Sequence, residues 1–152
     1  MITPSFKQQI HTHCIELISE KIKVLQHQLS GLREMVAAET KSTAGDKYET
    51  ARAMIHIEQE QINRQLAEAL SQQSMLAQID FSITAAHIIR GSLVDTDQGL
   101  FFIATGIGRV VVEDTIIYAI SPQSPLGAKL SGLSVGGSAV INGKTYTVNA
   151  FV

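Results

Sequence analysis

The chain has 152 residues, with 14 Asp and Glu against 12 Lys and Arg and a net charge of −2. So balanced a charge excludes an autonomous nucleic-acid binder, which needs a basic footprint to displace counterions, and the single cysteine excludes an intramolecular disulfide and fits a reducing compartment. No run reaches the roughly 18–20 apolar residues needed to cross a bilayer, and the start lacks the basic segment, apolar run and cleavage site of a secretory leader, so a cytoplasmic protein with no membrane partner is expected.

Composition changes near residue 80 and suggests two parts, 1–79 and 80–152. Before Asp80, glycine occurs only at Gly31 and Gly45 and proline only at Pro4; nine glycines and two prolines follow, among β-branched runs. That is a helix-to-sheet boundary and predicts an α+β fold. Residues 1–79 hold eight bases and nine acids, residues 80–152 four and five, so neither part carries a basic surface.

From Ser5 onward, Ile18, Ile22, Leu25, Leu29, Leu32 and Val36 alternate steps of four and three, the spacing of one coiled-coil seam. A seam implies a partner helix, and Ala51, Ile55, Ile62, Leu66, Ala69, Leu70 and Leu76 offer one. The polar stretch between them, with a tip at about 39–49, is short enough to favour an antiparallel coiled-coil hairpin within one chain. A monomer is therefore expected. Some 34 residues of helix at about 1.5 Å each would extend roughly 50 Å, so such a hairpin would hold its tip away from its base.

Beyond Asp80 the strand candidates are Ile83–Ile89, Ser92–Asp95, Leu100–Ala104, Arg109–Val112 and Thr115–Ile120. Asp97-Gln98-Gly99 suggests a tight hairpin, and a hairpin turn is the better reading of Gly106-Ile107-Gly108 than a dinucleotide loop, because a valine-rich strand follows where that fingerprint needs a helix. Pro125 to Leu133, with proline early and Gly132 near the end, predicts one short helix. Asn142-Gly143 between Ser138–Ile141 and Lys144–Val152 predicts a type I′ turn and an antiparallel pair. The second part thus reads as a small antiparallel β domain with one helix.

The tip carries the most suggestive chemistry. Asp46 and Glu49 make a capping-box-like helix start, and the same spacing brings two carboxylates to one side of a helix terminus, within reach of one divalent cation. A Mg²⁺ ion wants about six oxygens, so two carboxylates need further ligands from a partner. Other signals are more easily explained by structure. His11, His13 and Cys14 diverge around a helix and show no fourth zinc ligand; His27, His56 and His87 are isolated; Cys14 has no oxyanion loop after it and is a poor nucleophile candidate.

These residues give the chain a resemblance to the Gre transcript-cleavage factors of bacteria. The tip Gly45-Asp46-Lys47-Tyr48-Glu49-Thr50-Ala51 is similar to that family's Gly-Asp-x-x-Glu-Asn-Ala, with Thr50 in place of asparagine. Ile120-Ser121-Pro122-Gln123-Ser124-Pro125-Leu126-Gly127 resembles the Ser-Pro-hydrophobic-Gly element of the family's C-terminal domain, and Gly91-Ser92 falls where the family has a Gly-Ser pair. Gly137 stands where the family often has aspartate. The resemblance implies an FKBP-like domain that binds RNA polymerase through Ser121, Pro122, Ser124, Pro125, Leu126 and Gly127. It further implies a hairpin tip in the polymerase secondary channel, with Asp46 and Glu49 completing a Mg²⁺ site shared with the polymerase. On that reading the protein binds no cofactor alone, is not an enzyme by itself, meets RNA only within the polymerase complex and stimulates cleavage of backtracked RNA. A non-cleaving regulator of polymerase and a generic coiled-coil adaptor remain the alternatives.

Overall fold

The computed structural model describes residues 2–42 and 46–152, with side chains described outside 39–48. The fold is α+β: two N-terminal helices, α1 (Pro4–Ser42) and α2 (Asp46–Ala77), precede a six-stranded mixed sheet. The chain divides into two compact units, Leu17–Gln73 and the combination of Met1–Glu16 with Ser74–Val152.

α1 starts where Thr3 caps it. The Phe6 amide donates to Thr3 Oγ1 at 3.0 Å and the Lys7 amide to the Thr3 carbonyl at 3.0 Å, and Pro4 sits at the first helical position, where it sacrifices no amide hydrogen bond. Within Leu17–Gln73, Ile18, Ile22, Leu25, Leu29 and Leu32 of α1 are buried, and so are Ile55, Ile62 and Ala69 of α2. One cleft is lined by Gln28, Leu32 and Met35 with Glu58, Ile62 and Gln65, and another by Arg33 and Val36 with Glu49, Arg52 and His56. Higher numbers on α1 thus face lower numbers on α2, the order of antiparallel neighbours. Leu70, read from sequence as part of the apolar face, is 44% exposed. The α2 row instead runs through the heptad positions Ile55, Ile62, Ala69 and Leu76, with Gln59, Leu66 and Gln73 half-buried four residues after the first three.

In the other unit the strands are β1 (Leu93–Thr96), β2 (Gly99–Ile103), β3 (Gly108–Val112), β4 (Thr115–Ile120), β5 (Ser138–Ile141) and β6 (Lys144–Phe151), with α3 (Pro125–Leu130) between β4 and β5. Their order across the sheet is β3-β4-β2-β1-β6-β5. Two tight turns have both central residues at positive φ, Glu113-Asp114 (51° and 62°) between β3 and β4, and Asn142-Gly143 (51° and 79°) between β5 and β6. Such turns match the right-handed twist of the strands they join. Between Asp95 and Thr96 the β1–β6 ladder shifts register, and Asp97 just beyond keeps the pair closed: its amide donates to the Thr147 carbonyl (3.1 Å) and its Oδ1 accepts from the Thr147 amide (2.8 Å).

Three sequence expectations need correction. The sheet is mixed rather than antiparallel, because β2 and β4 pair in parallel, Phe102 opposite Ala119. Consequently Gly106-Ile107-Gly108 does not close a hairpin; it starts the crossover that carries the chain past the β4 position to the edge strand β3. Ile83–Ile89 forms no strand: only Ile88 is buried, and its backbone pairs with the α3-to-β5 loop, its amide donating to the Leu133 carbonyl (2.8 Å) and its carbonyl accepting from the Gly132 amide (2.8 Å).

One core cluster contains Ile88, Val94, Phe101, Ile103, Leu130, Ala139 and Val148. Leu93 and Phe102, which alternate with Val94, Phe101 and Ile103 and so point to the opposite sheet face, are also fully buried. Both faces are therefore covered at Leu93-Val94 and at Phe101–Ile103, which read as continuous apolar runs. Replacing Phe102 by alanine is expected to cost about 3–5 kcal/mol, whereas Val140→Thr, at a side chain 50% exposed, should stay within about 0.5 kcal/mol; urea unfolding of the two variants makes the comparison.

Candidate functional site

α2 begins at Asp46, so positions 46 and 49 stand about one helical turn apart near its N-terminal end. Gly45 lies outside the described residues, as do the side chains of Asp46, Lys47 and Tyr48. Glu49 and Thr50 are exposed. Glu49 lies on the cleft shared with Arg33, Arg52 and His56, where His56 Nε2 stands 3.3 Å from Glu60 Oε1 in a solvent-exposed pair of small energetic value. Among the described residues no three His, Cys, Asp or Glu side chains converge on a common point. Glu49 thus offers one carboxylate to an ion, and a second oxygen donor would have to come from Asp46. Such a pair fits Mg²⁺ only as part of a larger oxygen shell.

The Ser121–Gly127 segment is an ordered helix start. Ser124 caps α3: its Oγ accepts from the Gly127 amide (3.1 Å) and donates to the Ser121 carbonyl (2.6 Å). Pro125 follows at the first helical position. The Ser121 hydroxyl donates to Gln123 Oε1 (2.7 Å) and accepts from the Gln123 amide (3.0 Å). Gly127 is required by packing, since a Cβ there would stand 2.0 Å from the Ser121 carbonyl oxygen. The serines and the glycine of this motif are thus engaged in building the turn. Pro122 and Leu126 are half-buried, Leu126 packing against the core cluster, and Pro125 is exposed.

The histidine–cysteine cluster is accounted for by packing. His11 Nε2 lies 2.7 Å from the Leu76 carbonyl, which can only accept, so that nitrogen carries the proton; the ring also meets Phe81 edge-on at 4.7 Å. Cys14 is fully buried, and burial pushes its thiol up to about 11.

Sequence reading missed the neighbourhood of Lys7, Phe81 and Arg90, which line one cavity although they are far apart along the chain. A signal was present: Lys7 stands three residues before Ile10 and so falls on the buried row that continues through Cys14 and Ile18. No family model, curated protein or solved structure matches the chain.

Three measurements follow. Gly127→Ala should lower stability by about 2–3 kcal/mol through overpacking, seen as a shift of the denaturation midpoint with an unchanged slope. Cys14 should resist a thiol reagent at pH 8 in the native protein and react once urea unfolds it. Because the folded state holds the thiol proton more tightly than the unfolded chain, stability should fall as pH rises from the ordinary thiol value of 9.0 toward about 11, and Cys14→Ala should remove that dependence.

Proposed function

We propose that the protein is a Gre-like transcription factor of bacteria, acting in the cytoplasm as a monomer on RNA polymerase. In this reading α1 and α2 are an antiparallel coiled-coil hairpin and the sheet with α3 is an FKBP-like domain. The hairpin enters the polymerase secondary channel, while the segment around Ser121–Gly127 contributes to docking through Pro122, Pro125 and Leu126.

The observation that carries the proposal is the pair of acids at positions 46 and 49, one turn apart at the start of a long helix, with Glu49 exposed. Capping is served as well by Ser, Thr or Asn at position 46 and by Gln at 49, so it does not by itself select two acids. The paired spacing, preceded by glycine and followed by alanine at Ala51, is the pattern on which the resemblance to the Gre tip rests. Asp46 and Glu49 would contribute oxygen ligands to a Mg²⁺ ion whose remaining ligands belong to the polymerase. When bound there, the ion supplies an activated water for in-line cleavage of the transcript. Near-balanced charge supports the same division of labour, because the polymerase holds the RNA.

Thr50, where the family carries asparagine, favours a second reading: a regulator that occupies the channel without promoting cleavage. Halted, backtracked complexes of the cognate polymerase with Mg²⁺ separate the two. Transcript shortening by the wild type, reduced about 100-fold or more by Asp46→Ala/Glu49→Ala as expected for lost metal ligands, is the expected result. Binding without shortening establishes the non-cleaving regulator. Failure to bind polymerase removes both readings and leaves a coiled-coil adaptor.

A further inference from the structure

The unit formed by Met1–Glu16 and Ser74–Val152 contains a cavity of about 230 Å³ in which an apolar wall faces two cationic side chains. Phe81, Ile83, Ile89 and Phe151 supply hydrocarbon surface, and Ile83 and Ile89 are 53% and 39% exposed, a high figure for aliphatic side chains on a cavity wall. The cations are Lys7 and Arg90. Lys7 is only 9% exposed, and its ammonium lies 5.5 Å from the centroid of the Phe81 ring. Among the described residues, no carboxylate stands within ion-pair distance of either cation.

The surroundings reinforce the positive potential. The first turn of α1 contributes Pro4 and Lys7 to the wall, so the positive end of the helix dipole lies there, and no acidic residue occupies that turn. The acidic side chain on the wall, Asp80, offsets part of that potential, and its Oδ1 is engaged locally, accepting from the Ser82 amide (2.8 Å) and hydroxyl (2.6 Å). Those bonds, the hydroxyl foremost, hold the Asp80 carboxyl below its ordinary range. Burial of the side chain pulls Lys7 below its ordinary value, as partial desolvation of an ammonium does.

We propose that this cavity binds a small amphipathic carboxylate, its acid group paired with Lys7 and Arg90 and its compact hydrocarbon body set against Phe81, Ile89 and Phe151. Three physical requirements select that class. A neutral ligand would bury the Lys7 ammonium further with no acceptor, which costs free energy. A phosphate or other small polyanion would leave the apolar wall wet and would find no cluster of backbone amides to cradle it. A long-chain acid exceeds a cavity smaller than the roughly 300–1,000 Å³ of drug-sized sites. An arginine beside a lysine suits a single carboxylate, one as a planar fork and the other as a point charge.

The inference is independent of the polymerase reading and is tested on the full chain by amide NMR titration. The probes are benzoate and hexanoate, against benzyl alcohol for the apolar body alone and inorganic phosphate for the charge alone. Saturable shifts at Phe81, Ile89, Arg90 and Phe151 are expected with both carboxylates. Affinity should be at least about tenfold weaker for the alcohol, for phosphate and for Lys7→Met, the scale of one lost charged contact, and Lys7→Arg should recover most of it. No saturation with carboxylate up to about 10 mM, beyond which affinity is too weak for a specific site, overturns the proposal; so does equal binding of alcohol or phosphate, or of carboxylate by a folded Lys7→Met. Should Lys7→Met fail to fold, the exposed Arg90→Gln takes its place. A loss of about threefold or more then supports the site, and unchanged affinity overturns it.

Discussion

One row of side chains on α1 is the constraint on which the two units depend. Ile10 and Cys14 lie fully buried in the unit that holds the sheet, and Ile18, Ile22, Leu25, Leu29 and Leu32 are buried in the helical unit. The steps of the row are four, four and four from Ile10 to Ile22, then three, four and three to Leu32. At 3.6 residues per turn each four-residue step advances the row by about 40° around the helix and each three-residue step returns it by about 60°, so the buried face turns through roughly 80° between Ile10 and Ile18 and from there swings about one mean direction. A helix with one partner along its whole length keeps a constant seam. The turning face accords with a helix that serves a β-sheet unit at one end and a second helix along the rest.

Lys7 extends the same row by a step of three in the other direction. A lysine there is costly unless its stem is packed and its ammonium has somewhere to go. The Phe81 face answers part of that requirement, and His11, one turn along α1, meets the same ring edge-on. His11 also donates to the Leu76 carbonyl at the end of α2, so Phe81 and the end of α2 are tied to the first turns of α1 by polar as well as apolar contacts.

Local chemistry in the sequence was a good guide wherever a short segment decides its own conformation. Asn142-Gly143 forms the turn that its positive φ values require, and Ser124-Pro125 starts α3 by capping. Pairing across the sheet was not legible, because alternation tells which face a residue points to and not which strand lies beside it. The parallel pairing of β2 with β4 is the result: the β3–β4 hairpin presents its second strand to β2. Helix faces were legible only as far as they are apolar. Gln59 and Gln73 are half-buried on the α2 row although a count of hydrophobic residues passes over them, while Leu70, which such a count includes, points outward. At the tip, the 46–49 spacing was legible as a pattern, and α2 begins at Asp46. The cavity at Lys7 was not, since its wall is assembled from the first turns of α1, the irregular segment after α2 and the last strand.

The two sequence motifs differ in what they can say about function. In Ser121–Gly127 the hydroxyls and the glycine are engaged in the turn itself, down to a carbonyl oxygen occupying the space where a Gly127 side chain would stand. The serines and the glycine are dictated by folding, so in this segment the motif marks a backbone shape. The acid pair is under the opposite constraint. A capping-box-like start accommodates both acids, but an exposed glutamate one turn into a long helix contributes only about 0.3–1 kcal/mol through the dipole. Folding therefore does not require Glu49, and a residue that folding does not require is where functional selection is most readily sought. A partner that completes an oxygen shell around a cation would give both acids one reason to stand together.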